Sequence, residues 1–189
     1  MAIKTKQYLA LAALGLALSA AQASSVELSL LSATAGVTNA AAAVDGFVPA
    51  NGTPWQTTAA WWQSTSDAIV FSFDQAYHLS SATVTADWND VYRFYVSQDG
   101  VNFTPLFTVS GLFDQNAVSS GQVTMTASFA ATAEAYQYLK VQALMGDNAF
   151  ALGEISLNGT VAAVPEPGTL AFMAGGLGLL ALAARRRKA

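Results

Sequence analysis

The chain has 189 residues, a formal net charge of −4, one histidine and no cysteine. Disulfides and thiol nucleophiles are therefore excluded, and one histidine cannot build a histidine-based zinc site. Six of the eight cations sit at the two ends; between residues 24 and 164 only Arg93 and Lys140 remain against eleven acids, a net charge of −9. Such a segment has no basic stripe to neutralise phosphates, so nucleic acid is excluded as a partner and anionic lipid is repelled.

The first 23 residues read as a secretory signal peptide. Lys4 and Lys6 supply the basic region, Tyr8 to Leu18 the apolar one, and Ala21-Gln22-Ala23 a small-residue cleavage site. Its helix is removed on export and takes no part in the fold.

Residues 24–160 are long enough for one domain with its own core. Runs rich in Val, Thr, Phe and Tyr recur between turn residues, and no helical stripe is present. Strands are predicted at 26–31, 68–73, 82–86, 92–97, 104–109, 122–129, 136–144 and 154–158. In the sixth, Val123, Met125, Ala127 and Phe129 alternate with Gln122, Thr124, Thr126 and Ser128. The Asp99-Gly100 pair between the fourth and fifth is a hairpin signal, because Gly accepts positive φ. Eight short strands without cysteine predict an all-β sandwich or jelly roll.

The chain then passes through a linker at 161–168, containing Pro165-Glu166-Pro167, into an apolar run at 169–184 and a basic tail at 185–189. Sixteen residues fall below the roughly 20 that span a hydrocarbon core comfortably. The run is rich in Gly and Ala, suited to close packing against a partner helix. Arg185, Arg186 and Arg187 should stay on the cytoplasmic side, leaving the rest outside. A permanent anchor is the plain alternative.

This tail resembles the PEP-CTERM sorting signal of Gram-negative, exopolysaccharide-producing bacteria. That resemblance implies recognition by an exosortase, a transient inner-membrane intermediate held by the short transmembrane helix, and delivery to the cell surface or matrix.

A second resemblance covers about residues 26–160. Ala43-Val44-Asp45-Gly46, Thr53-Pro54-Trp55, residues 69–74 (Ile-Val-Phe-Ser-Phe-Asp), residues 95–104, Tyr138-Leu139-Lys140-Val141 and Leu152-Gly153-Glu154-Ile155-Ser156-Leu157 follow the order of a discoidin or coagulation-factor type C domain. It implies an eight-stranded, galactose-binding-like jelly roll whose loops at one end hold a ligand, often a carbohydrate. It also implies a structural calcium held by Asp45, Thr53 and Glu154, with carbonyls near Phe47 and Leu152. The insert 48–52 departs from the pattern. On the residues alone, Asp45 could equally cap a turn and Glu154 be an ordinary strand residue.

Sugar sites present aromatic rings to C–H faces, with a few polar groups to orient them. Trp61 and Trp62 lie in a polar segment, and strand alternation expects one of them to point inward. Trp88, Asn89 and Asp90 form a loop, and Arg93 follows as a donor to hydroxyls or a uronate carboxylate. Trp55 is expected in the core. Catalysis finds little support: no Gly-x-Ser-x-Gly elbow accompanies a serine, and His78 lies in a structural stretch. A carboxylate pair such as Asp87 and Asp90 could in principle serve a glycosidase, but a loop sequence does not give their separation. The sequence thus points to a non-enzymatic, polysaccharide-binding surface or biofilm-matrix protein. The alternative is a structural matrix protein without a sugar site.

Overall fold

The computed structural model describes residues 22–113 and 120–163, with Gly176, Leu177 and Arg186. Residues 1–21 of the signal peptide, Pro165, Glu166, Pro167, Arg185 and Arg187 lie outside the described residues. No helix among the described residues is long and apolar enough to cross a membrane.

Among the described residues nine strands form the domain: β1 (Ser24–Val26), β2 (Leu28–Ala33), β3 (Ala60–Trp62), β4 (Ile69–Asp87), β5 (Val91–Ser97), β6 (Thr104–Ser110), β7 (Gln122–Ser128), β8 (Tyr136–Met145) and β9 (Phe150–Val161). All described pairings are antiparallel.

The 19-residue β4 organises the sandwich. Its first part, Ile69 to Ser72, pairs with β2 and β8, and the sheet continues through β5 to β6. Its second part, Tyr77 to Asp87, pairs with β9 and β7. The register with β8 jumps between Ser72 and Tyr77, where Asp74-Gln75-Ala76 interrupts the alternation of buried residues. At this corner β4 leaves one sheet for the other, as strands do when two sheets share an edge. The two strands predicted at 68–73 and 82–86 are therefore one. The predicted strand 26–31 divides instead: β1 pairs with β9 and β2 with β4, with Glu27 between them.

The core lies between the sheets. Phe71, Phe94, Leu139 and Val141 come from one, and Ala82, Val84, Ile155 and Leu157 from the other. Trp62, Tyr92 and Phe150 join the layers near one end, with ring centroids 5.9 to 6.5 Å apart. Each of these rings is fully buried. Truncating one such aromatic costs about 3–5 kcal/mol. At the other end the Asp99-Gly100 hairpin joins β5 to β6 as expected, with Gly100 at φ 73°. Asp99 accepts from the Val101 and Asn102 backbone N–H groups at 2.9 and 2.8 Å. Those bonds hold its carboxyl well below the usual carboxylate range.

Candidate functional site at the loop end

Strand ends decide which loops meet. Asp87 pairs with Gln122, Val91 with Met145, and Trp62 with Phe150. The connections at 63–68, 88–90 and 146–149, with residues 111–113 and 120–121, therefore lie at one end, and the long β2–β3 connection folds over them. Gly52 N–H donates to the Gln122 carbonyl at 2.8 Å, Gln122 N–H to the Thr53 carbonyl at 3.0 Å, and Trp88 N–H to the Gly121 carbonyl at 3.1 Å. Gly121 is required here. Its φ is 75°, and a Cβ would lie 2.7 Å from the Thr53 carbonyl oxygen. Gln122 is fully buried, and its Nε2 donates to Thr58 Oγ1 at 2.9 Å, fixing the 54–58 turn.

On this turn Trp55 rests against Trp61, with centroids 5.8 Å apart and planes inclined by 44°. Both are half-buried. Beside Trp55 lies a cleft of about 260 Å³, lined by Gly52, Pro54, Gln56, Ser120 and Gly121. This is a shallow recess with one aromatic wall, near the lower bound of ordinary small-molecule pockets.

None of the expected ligand residues lines this recess; Trp61 only backs its Trp55 wall. Trp62 is fully buried and packs on Tyr92 and Phe150, so of the adjacent pair it is the inward ring and stacks on no sugar. Trp55, expected in the core, is instead a half-buried wall of the cleft; Pro54 before a 3-10 turn was the local signal that it leaves the sheet. Trp88 is half-buried and packs against the core cluster. Asn89 Nδ2 donates to Asp147 Oδ2 at 2.8 Å, tying two loops together. Arg93 is not in the loop. It sits within β5, opposite Thr108 and Gln142, with Nε 3.5 Å from Thr108 Oγ1.

Asp90 is the clearest departure. It is fully buried, and its Oδ2 accepts from the Tyr92 hydroxyl at 2.8 Å. That hydroxyl accepts in turn from Ala151 N–H at 2.8 Å. A Cβ at Gly146 would collide with Asp90 Oδ1. Burial pushes the Asp90 carboxyl up to about 7; the Tyr92 bond pulls it down, and the Asp87 and Asp147 charges raise it. Burial also raises Asp87 to about 6, against a lowering bond from Trp88 N–H. With 4% and 0% exposure, Asp87 and Asp90 face no cleft and cannot flank a glycosidic bond. They hold the loops.

A second acidic group lies on the flank. Asp45 ends the 3-10 turn Ala40–Val44 and accepts from Phe47 N–H at 2.8 Å. Glu154 Oε2 accepts from Gly46 N–H at 3.2 Å, so residues 108 apart in sequence meet. Burial raises Glu154 to about 7; the Gly46 bond lowers it, and the Asp45 charge raises it. A cleft of about 150 Å³ opens beside it, lined by Ser25, Val44, Gly46 and Ser156 among others. A half-buried carboxylate facing a second one suits a hard cation, which would relieve both burial and repulsion. Thr53 is placed elsewhere: its N–H donates to Ala50 and its carbonyl accepts from Gln122. The structure thus joins two of the three residues expected to hold calcium.

Residues 163–188 match the PEP-CTERM protein-sorting motif. The tail is a PEP-CTERM sorting motif. A protein bearing PEP-CTERM is exported and envelope-associated. The fold is similar to the C-terminal domain of a chitobiase from Bacteroides fragilis, at 13% identity and TM-score 0.52, over 72% of this chain and 96% of that one. It is similar also to a family 89 glycoside hydrolase from Clostridium perfringens, solved with 2-acetamido-1,2-dideoxynojirmycin. There the identity is 17% and the TM-score 0.53, over 74% of this chain but only 15% of that one. A truncated protein with CBM32 and alginate lyase domains matches at 12% identity and TM-score 0.50, over 77% of this chain and 36% of that one. At these identities the likeness is one of fold alone, an all-β sandwich. No curated protein sequence matches the chain.

Proposed function

We propose that this PEP-CTERM protein is a non-catalytic module that binds extracellular polysaccharide in the recess beside Trp55. The observation that carries this reading is Trp55, backed by Trp61, walling a cleft at the loop end of a CBM32-like sandwich. An aromatic face takes the C–H face of a sugar, while Gln56 and Ser120 can orient its hydroxyls. Trp88 and Asn89 support the neighbouring loop. An exosortase acts at Pro165-Glu166-Pro167, with residues 169–184 in the inner membrane and Arg185–Arg187 inside, before delivery to the surface or biofilm matrix of a Gram-negative cell. Calcium at Asp45 and Glu154, with carbonyl oxygens completing its shell, fixes the flank loop.

Titration calorimetry of the full chain in non-ionic detergent against a glycan panel tests this. Saturable binding to at least one neutral glycan, weakened by about tenfold or more in Trp55→Ala, is the expected result. The competing reading, a matrix protein with no sugar site, draws on the complete burial of Trp62. A flat response to every glycan from a folded chain favours it.

A further inference from the structure

Charge is segregated over this domain. The five strand segments of the sheet that runs from β2 to β6, 28–33, 69–73, 91–97, 104–110 and 136–145, contain no acidic residue. They do contain both cations found between residues 24 and 164, Arg93 and Lys140. The acids lie in the loops, at the corner Asp74, or at Asp87 and Glu154 on the other sheet.

Register puts the two cations on one face. Arg93 pairs with Gln142 and Tyr95 with Lys140, so Arg93 and Lys140 are diagonal neighbours. Such neighbours lie about 7–8 Å apart. Their strand neighbours Tyr92, Phe94, Leu139 and Val141 are buried, which turns Arg93 and Lys140 outward. Lys140 Nζ sits 4.6 Å from the Tyr95 ring centroid and 4.8 Å from that of Phe103. Two half-buried rings thus hold the ammonium in place and reduce the side-chain freedom lost on binding. The guanidinium is a planar fork matched to a carboxylate.

We propose that this outer face is a second binding surface, taking an anionic, uronate-bearing polysaccharide laid across β5 and β8. Arg93 and Lys140 receive carboxylates on nearby residues of the chain, and Tyr95 and Phe103 border its sugar rings. The rest of the domain is acidic and repels a polyanion, so such a chain meets the protein through this face. A protein partner fits less well. The large exposed apolar side chains on these strands are Leu30 and Leu31 on edge strand β2 and Met145 at the loop end of β8; none lies between the two cations, and a protein interface needs an apolar centre. The surface is distinct from the recess at Trp55 and does not depend on it.

The test titrates the full chain in non-ionic detergent with polygalacturonate, under chelator, using its methyl-esterified, neutral form as control. Polygalacturonate should bind and weaken as salt rises. The double variant R93Q/K140Q should bind about tenfold more weakly, a loss of about 1.4 kcal/mol. R93K/K140R should retain most of the affinity, and Trp55→Ala all of it. Equal affinity in R93Q/K140Q at unchanged melting temperature overturns the proposal, as does equal binding of the esterified polymer. Salt-sensitive self-association in sedimentation, lost in R93Q/K140Q without polyuronate binding, overturns it in favour of a second copy of this chain. If Trp55→Ala alone abolishes polygalacturonate binding, the recess takes that ligand and this face does not.

Discussion

The two acidic groups of this domain use the same chemistry to different ends. At the loop end Asp90 is closed off entirely, with Tyr92 on one oxygen and Gly146 against the other. On the flank Glu154 lies beside Asp45 at the edge of an open cleft, held by the Gly46 backbone N–H. Both carboxyls are pushed up to about 7, first by burial. A raised value therefore does not separate a structural acid from an ion-ready one. Access and partners do: Asp90 offers no oxygen to an incoming ion, whereas Glu154 and Asp45 offer oxygens that repel each other until a cation arrives.

The sharpest break of this contrast is Asp90→Ala. It strips the Tyr92 hydroxyl of its acceptor inside the core and should destabilise by about 2–4 kcal/mol, read from chemical denaturation. Stability unchanged within 0.5 kcal/mol or so would mean that the Asp90–Tyr92 bond does not organise that end. Calcium provides the mirror experiment. Added at about 100 times its dissociation constant, it should stabilise the chain by about 2.7 kcal/mol. The gain should vanish in Glu154→Gln and survive in Asp90→Asn. A gain that survives in Glu154→Gln would place the ion elsewhere.

Protons give a third, smaller contrast. The folded chain keeps Asp87 and Asp90 protonated well above the range near 4 where unfolded carboxyls ionise. The stability they add is complete below about pH 4 and is lost as pH rises through 6 and 7. The full chain should therefore be more stable near pH 5 than near pH 8, by an amount on the order of 2 kcal/mol, and melt correspondingly higher, the two acids titrating together. Asp90→Asn should flatten part of this slope, because the amide oxygen can still accept from Tyr92. A higher melting temperature at pH 8 would contradict the burial of these groups. The smallest effect belongs to Glu154→Gln without calcium, which should change stability by less than about 0.5 kcal/mol.

The sequence made the sandwich legible wherever alternation was clean, as in β7 and β8, and in the Asp99-Gly100 hairpin. It misread β4 as two strands because Asp74-Gln75-Ala76 looks like a turn and is a corner between sheets. It missed β3, whose three residues are too short for a period and which exists only through pairing with β9. Alternation correctly put one of Trp61 and Trp62 inward but could not choose which. Nearness in sequence grouped Arg93 with Trp88, although two residues of strand carry Arg93 out of the loop and onto the sheet face. The meeting of Asp45 with Glu154 came from family resemblance rather than from any local pattern, since long-range convergence leaves no periodic trace.

The loop-end recess is the centre of this reading, and nuclear magnetic resonance of the isotopically labelled full chain addresses it most directly. Titrated with a neutral oligosaccharide bound in calorimetry, the amides of residues 52–61 and 120–121 and the Trp55 indole should shift together and saturate. Shifts confined to the opposite end, around residues 98–102, or absent at Trp55 under saturating sugar, would contradict it.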